Sequence, residues 1–353
     1  MTIHEDVKKR HEFTEMNPET EYRIPFDEIL GVLEEKLLAR DFTSEDAKLS
    51  ARLFTEASCD GVYSHGINRF PLYVEFVDKG YIKVRSKPEL ISGNGVLEQW
   101  DGKLGPGNVN AFRSVERAVS LAREHGVGCV ALSNTNHWMR GGTYGWQAAD
   151  EGCLAIMWSN TTGNMPPWGG IKPSIGNNPL VMAVPRSAGH VVLDMSQSLF
   201  SFGKLTEYRD KGDQLPLEGG YNQEGNLTRD PAEILATMRP LPIGYWKGSG
   251  LSIMLDIFAT ILSGGKSTME LSRKEYEYGV SQVFIVIDPG SEVFHESREI
   301  VLDQILNEIT NTPSANSNQP VRYPGERTAK IRSENLSQGI PVQEEVWKRI
   351  RYL

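Results

Sequence analysis

Three cysteines in 353 residues, Cys59, Cys129 and Cys153, are too few and too far apart for a disulfide framework or a Cys-x-x-Cys zinc site. Their mostly small or apolar neighbours mark them as buried thiols. Long hydrophobic runs are missing as well, since no uninterrupted apolar stretch approaches the ~20 residues of a membrane span. Met1 to Arg10 carries His4, Glu5, Asp6, Lys8 and Lys9 where a signal peptide has its apolar core, so a cytoplasmic protein is expected. Positive charge is in deficit: 37 Lys and Arg face 46 Asp and Glu, for a formal net charge of -9. With no basic cluster either, nucleic acid and anionic membranes are excluded as main partners, and any anionic substrate has to be held by local cations. No H-E-x-x-H or paired Cys/His spacing is present and the seven histidines are dispersed, so no metal is expected.

What is present is ordinary globular material. A hydrophobic content of 39% suffices for a substantial core, and the length suits two lobes at ~100 to 200 residues per domain. Residues 1 to 21 are polar and read as an extension. Ile29, Leu30, Leu33, Leu37 and Leu38 then recur at helical spacing, and Ser44-Glu45-Asp46 opens a second helix through Ala51, Leu53 and Phe54. A third runs from about Ala111 to Glu124 and ends at Gly126, where a left-handed cap is expected. Val127 to Leu132, Cys153 to Trp158, Leu180 to Val184 and Val191 to Asp194 read as short strands, with a helix around Tyr144 to Asp150 between the first two. That first pair predicts a right-handed parallel crossover. The last two strands are separated only by Pro185 to His190, hairpin length, so the sheet is expected to be mixed. An apolar helix near Ser249 to Leu262, a strand at Val283 to Ile287 and a helix near Arg298 to Ile309 follow. Asn311 to Gln319 reads as disordered, and a closing helix near Val342 to Ile350 is expected to pack back on the N-terminal lobe.

The phosphate-binding signatures fail on context. Gly126-x-Gly128-x-x-Ala131 follows a helix and enters a strand, the reverse of the order that aims a helix N-terminus at pyrophosphate. Gly264-Gly265-Lys266-Ser267 resembles the end of a phosphate loop, but Thr260 stands where its first glycine belongs.

Other segments carry chemistry. In Val62-Tyr63-Ser64-His65-Gly66-Ile67-Asn68-Arg69-Phe70, an imidazole stands four residues before a guanidinium, with a hydroxyl beside it. If the segment is helical or a tight turn, His65 and Arg69 share a face. A 2-keto acid needs such a pair, a proton for its carbonyl oxygen and a planar cation for its carboxylate. A surface ion pair or a satisfied core histidine is the plainer alternative. Asn134 to Gly142 again sets a histidine, His137, near an arginine, Arg140, beside two glycines, with Trp138 or Trp146 as a wall for a flat ring. A tryptophan packing the start of a helix would explain the same residues. Met165 to Gly170 is stiff and apolar and suits a loop that packs or lines a pocket. Asp194, at a strand end, suits ribose hydroxyls, an imidazole or a simple cap. Trp246 and Lys247 precede an apolar helix and suit a phosphate and a ring.

Together these blocks resemble the malate/L-lactate dehydrogenase family, whose cofactor domain is not a Rossmann fold. The resemblance spans residue 22 to the C-terminus and rests on Gly61 to Pro71, Glu98 to Asp101, Asn136 to Ala149, Met165 to Gly169, Gln214 to Pro216, Gly225 to Thr228, Gly244 to Gly250 and Tyr278-Gly279. It implies an α/β fold in which a mixed-sheet NAD-binding domain, residues 101–297, joins a helical substrate and dimerisation lobe, residues 22–100 plus 298–353. It also implies a homodimer that reduces a 2-keto acid to a 2-hydroxy acid with NADH, NADPH being the alternative. A diketo sugar acid is the foremost substrate candidate, ahead of malate or L-lactate, sulfolactate, ureidoglycolate and cyclic imino acid chemistry. A sugar-acid or nucleotide-binding protein on the same scaffold is the non-enzyme alternative. By the resemblance His65 is the proton donor and Arg69 the carboxylate anchor, with Ser64 and His137 near the substrate. The cofactor segments fall on His190, Val191, Val192, Leu193, Asp194, Met195 and Ser196, on Trp246 and Lys247, and on Gly325, Glu326 and Arg327. The last triplet departs from the family's Gly-His-Glu, and residues 159 to 164 depart from it as well, which bears on specificity if that loop touches substrate.

Overall fold

The computed structural model describes residues 21–290, 295–315 and 320–353. The expected extension lies outside the described residues apart from Glu21, as do residues 316–319 of the stretch read as disordered. The chain opens with β1 (Glu21–Ile24), α1 (Phe26–Leu38), α2 (Ser44–Cys59) and α3 (Phe70–Asp78). The hairpin of β2 (Glu89–Gly93) and β3 (Leu97–Asp101) leads to α4 (Gly107–His125), β4 (Val127–Thr135), α5 (Gly142–Asp150) and β5 (Leu154–Ser159). Then come β6 (Leu180–Val184), β7 (Val191–Met195), α6 (Trp246–Ser263) and β8 (Val280–Ile287). The chain closes with α7 (His295–Thr310), α8 (Glu326–Gln338), β9 (Ile340–Gln343) and α9 (Glu344–Arg351).

Seven strands form one mixed sheet in the order β2-β3-β4-β8-β5-β6-β7. β6 and β7 pair antiparallel from Leu180↔Met195 to Val184↔Val191, the hairpin expected from their spacing. β4 and β5, joined through α5, run parallel to each other as the expected crossover requires, but they are not neighbours: β8 lies between them, antiparallel to both, and the hydrogen-bonded parallel pair is β3 and β4. The reason is composition. β8 reads Val-Ser-Gln-Val-Phe-Ile-Val-Ile and is buried along nearly its whole length, so the sheet centre, covered on both faces, is where it fits.

Side-chain alternation divides the sheet's two faces. Val130, Met157, Val181 and Phe284 pack under α4 and α5, while Ala131, Trp158 and Val283 pack under α6 through Leu255 and Ala259. Gly126 caps α4 at φ 83°, the left-handed end expected there.

The helical lobe has its own core. Ile29, Leu33 and Leu37 of α1 are fully buried with Phe54, Ile67 and Phe70. α2 begins where Thr43 Oγ1 accepts the Asp46 N–H at 3.1 Å. β9 pairs with β1, from Glu21↔Gln343 to Ile24↔Ile340, and α9 buries Trp347 and Ile350 in the same cluster. The chain's two described ends thus close one lobe. β2 and β3 belong to the sheet, so the sheet portion begins ahead of the boundary expected at residue 100.

Trp347→Ala should lower stability by about 3–5 kcal/mol, the usual cost of truncating a buried aromatic. A urea midpoint unchanged from the parent protein would show that α9 does not hold the lobe.

Candidate active site

A cavity of about 1940 Å³ takes residues from both the lobe and the sheet. Small-molecule pockets usually enclose ~300–1,000 Å³, so a keto acid leaves room here for a second, larger molecule.

The segment after α2 supplies one end. Tyr63–His65 and Ile67–Arg69 are two 3-10 turns broken at Gly66, in place of the single helical face expected from the i, i+4 spacing. A Cβ on Gly66 would stand 2.1 Å from Ser58 Oγ, the atom that accepts the Ile67 N–H at 2.7 Å, so only glycine fits there. The break still leaves Ser64, His65 and Arg69 lining the cavity. Ser64 Oγ lies 3.0 Å from His65 Nδ1 and fixes the ring.

His137 reaches the same place from the turn after β4. Its ring stacks on His65 with centroids 5.7 Å apart. Its Nδ1 accepts the Met139 N–H at 2.9 Å, so in the neutral ring the proton sits on Nε2. Burial pushes the His65 ring down to about 3, with His137, Arg69 and Arg140 adding to the effect. Burial and Arg69 hold His137 at about 3 as well. Two stacked imidazoles beside a guanidinium are therefore neutral at pH 7 while the site holds no anion.

Arg69 is pushed down by burial and pulled back by Glu277. Glu277 Oε2 accepts both the backbone N–H and the hydroxyl of Thr162, each at 2.9 Å. The 159–164 loop is thus tied to the carboxylate whose charge acts on Arg69.

The other side of the cavity is built from β7. Val192, Leu193, Asp194, Ser196 and Gly325 line it, whereas His190, Val191, Met195, Trp246, Lys247, Glu326 and Arg327 do not. Asp194 Oδ2 accepts the Gly142 N–H at 2.7 Å and so caps α5, while burial pushes its carboxyl up. His190 is committed elsewhere: Nδ1 accepts the Arg186 N–H at 3.0 Å and Nε2 lies 2.9 Å from Asp150. Trp138 is buried against Tyr144 and Phe284, as the packing reading has it, and both Trp138 and Trp146 line the cavity. Gly325 sits at φ 92° beside β7, where the Val192 N–H donates to Pro324 O at 3.1 Å, and a Cβ there would lie 3.1 Å from Val192 N. A backbone cradle that a side chain would fill, next to an aromatic wall and a carboxylate, fits a nicotinamide dinucleotide. No cluster of His, Cys, Asp or Glu suited to a metal occurs among the described residues.

Three participants escaped the sequence. Glu277 stands one residue ahead of the Tyr278-Gly279 block, and Asp60, which holds the cavity-lining Arg140 in a buried ion pair, one residue ahead of Gly61 to Pro71. Thr162 sat in the loop noted for its departure, but nothing in the sequence joined it to Glu277, 115 positions away.

The family model described as malate/L-lactate dehydrogenase matches residues 24–351. The chain is 43% identical over 332 residues to the 2,3-diketo-L-gulonate reductase of Citrobacter koseri, covering 94% of this chain and 100% of that one. Its fold is similar to malate dehydrogenase from Pyrococcus horikoshii, with a TM-score of 0.85 and 28% identity over 95% of each chain. Sulfolactate dehydrogenase from Methanocaldococcus jannaschii matches with a TM-score of 0.86 and 27% identity, over 93% of this chain and 95% of that one.

Nitrogen NMR of the ligand-free protein at pH 5 should show both rings neutral, with the His137 proton on Nε2; an imidazolium signal from either ring would contradict the geometry. Acid should also weaken the fold between about 6.5 and about 3, because the unfolded chain protonates these rings first.

Proposed function

The chain belongs to the malate/L-lactate dehydrogenase family and is an oxidoreductase acting on CH–OH groups, and from that premise we propose that it reduces the 2-keto group of 2,3-diketo-L-gulonate with NADH, yielding 3-dehydro-L-gulonate. The observation that carries this reading is the convergence of His65, His137 and Arg69 at one end of a cavity with room for a second, larger molecule. Bound nicotinamide supplies the hydride. Arg69 holds the substrate carboxylate, His65 protonates the carbonyl oxygen as it becomes a hydroxyl, Ser64 keeps the His65 ring in place, and the His137 Nε2–H is directed at the substrate. A carboxylate on Arg69 offsets one of the charges that keep His65 neutral, so the proton enters with the substrate.

The same proposal assigns cofactor binding to the β7 segment and Gly325 on the sheet side, and acid and anchor to the helical lobe. Trp246 and Lys247 stand outside this cavity, at the start of a helix that exposes Met254, Ile257, Phe258 and Ile261. That apolar stripe supports a homodimer joined through α6, in which Trp246 and Lys247 reach the partner's cofactor. The three thiols are unpaired, which suits the cytoplasm, and no helix among the described residues is long and apolar enough to cross a membrane.

A keto-acid panel followed through NADH and NADPH absorbance tests the reading directly. His65→Ala should lower turnover by ~10²-fold or more and leave NADH affinity nearly unchanged; parental turnover would remove His65 from the acid role. Arg69→Lys should chiefly raise KM, because an ammonium cannot reproduce the bidentate fork. An unaltered KM would mean that the carboxylate binds elsewhere.

A further inference from the structure

The carboxylate anchor has a fixed negative neighbour. Glu277 lines the cavity close enough to Arg69 for the two charges to act on one another, and its Oε2 is held by both donors of Thr162. The loop that holds it is itself pinned. The Gly163 N–H donates to Ser272 Oγ at 2.7 Å, and Asn164 Nδ2 donates to Asn177 Oδ1 at 2.9 Å. Glu277 therefore cannot swing away from an incoming anion without breaking the loop.

Nearby cations do not cancel it. The Lys274 ammonium is spent on Tyr278, 2.6 Å from its carbonyl oxygen and 3.9 Å from its ring centre. Lys172 and Arg273 lie exposed at the rim of the cavity. A ligand anchored on Arg69 thus shares the cavity with a carboxylate whose second oxygen, Oε1, is not engaged by the loop.

We infer that Glu277 is a specificity-determining residue, which accepts hydroxyl donors from a 2-keto acid whose far end is uncharged and hydroxylated and repels 2-keto acids that carry a second anion. The inference rests on the 2-keto acid reading above. A hydroxyl on the far side of the keto group can donate to Oε1, whereas a second carboxylate or a sulfonate meets a like charge that water screens poorly. The malate and sulfolactate dehydrogenases whose fold this chain shares are named for such doubly charged acids.

Glu277→Gln keeps an oxygen for Thr162 and removes only the charge. Calorimetric affinities for oxaloacetate and 2,3-diketo-L-gulonate, taken with NAD⁺ present so that neither acid is reduced, should shift in ratio toward oxaloacetate by roughly 10-fold or more, the scale of one unscreened like charge in a cleft. The kcat/KM ratio with NADH should move the same way. An unchanged affinity ratio overturns the inference, and so does failure of the parent protein to bind either acid. Thr162→Val is the control: it removes one donor and leaves the charge, and a ratio shift as large as that of Glu277→Gln would trace selection to loop shape and overturn the charge argument. If the parent protein binds both acids with a preference that Glu277→Gln reverses but reduces neither, the proposed reaction fails while charge selection stands.

Discussion

One buried carboxylate, Asp60, joins the three segments that meet in the cavity. It ends α2, pairs through Oδ2 with the buried guanidinium of Arg140, and accepts Arg332 Nη1 at 2.8 Å through Oδ1. Five residues later the chain presents His65; Arg140 follows His137 by three; Arg332 lies on α8, whose N-cap is the cavity glycine Gly325. Breaking a buried pair by removing one partner typically costs ~3–5 kcal/mol, because the other charge is left in low dielectric. The value of the link here is geometric. It sets His65, His137 and the far wall at fixed distances although they come from segments spread between residues 60 and 332 of the chain.

Charge then works against itself in a useful way. The protein carries -9 overall, yet Arg69 and Arg140 line the cavity; Arg140 is already paired with Asp60, so the proposed holding of an anion against an unfavourable global field falls to Arg69. The same guanidiniums help to keep His65 unprotonated. In the roles proposed for them, acid and anchor therefore oppose each other until an anion arrives, and the anion makes the two roles compatible. Glu277 limits how much negative charge may come with it.

The parts of this arrangement that local chemistry dictates were legible in the sequence. Helical spacing of Ile29, Leu33 and Leu37 gave α1, Gly126 gave the end of α4, and the short Pro185 to His190 connection gave an antiparallel hairpin. The pairing of His65 with Arg69 was readable because both sit on one short segment, although the backbone there is two 3-10 turns. What depends on long-range pairing was not readable. β8 looks like any buried strand until its partners are known, and its insertion between β4 and β5 splits the expected parallel crossover with two antiparallel ladders. Glu277 and Asp60 each stood one residue outside a recognisable block, and their partners lie up to 272 positions away.

The absent glycine-rich fingerprint has a structural counterpart. In a Rossmann fold the first helix leaves its N-terminal N–H groups open to a pyrophosphate. Here α5 begins at the cavity, but the Gly142 N–H is already taken by Asp194, whose carboxylate meets the helix end that an anion would otherwise occupy. The proposed dinucleotide site on this sheet is therefore approached from the side. The Tyr323–Gly325 chain lies along the open edge of β7 through the Val192 N–H to Pro324 O bond, and the lack of a side chain at Gly325 keeps that edge and the cavity in contact. In the proposed binding mode, recognition moves from a helix terminus to a strand edge, and the glycine that matters moves with it, from the first β-α turn to residue 325.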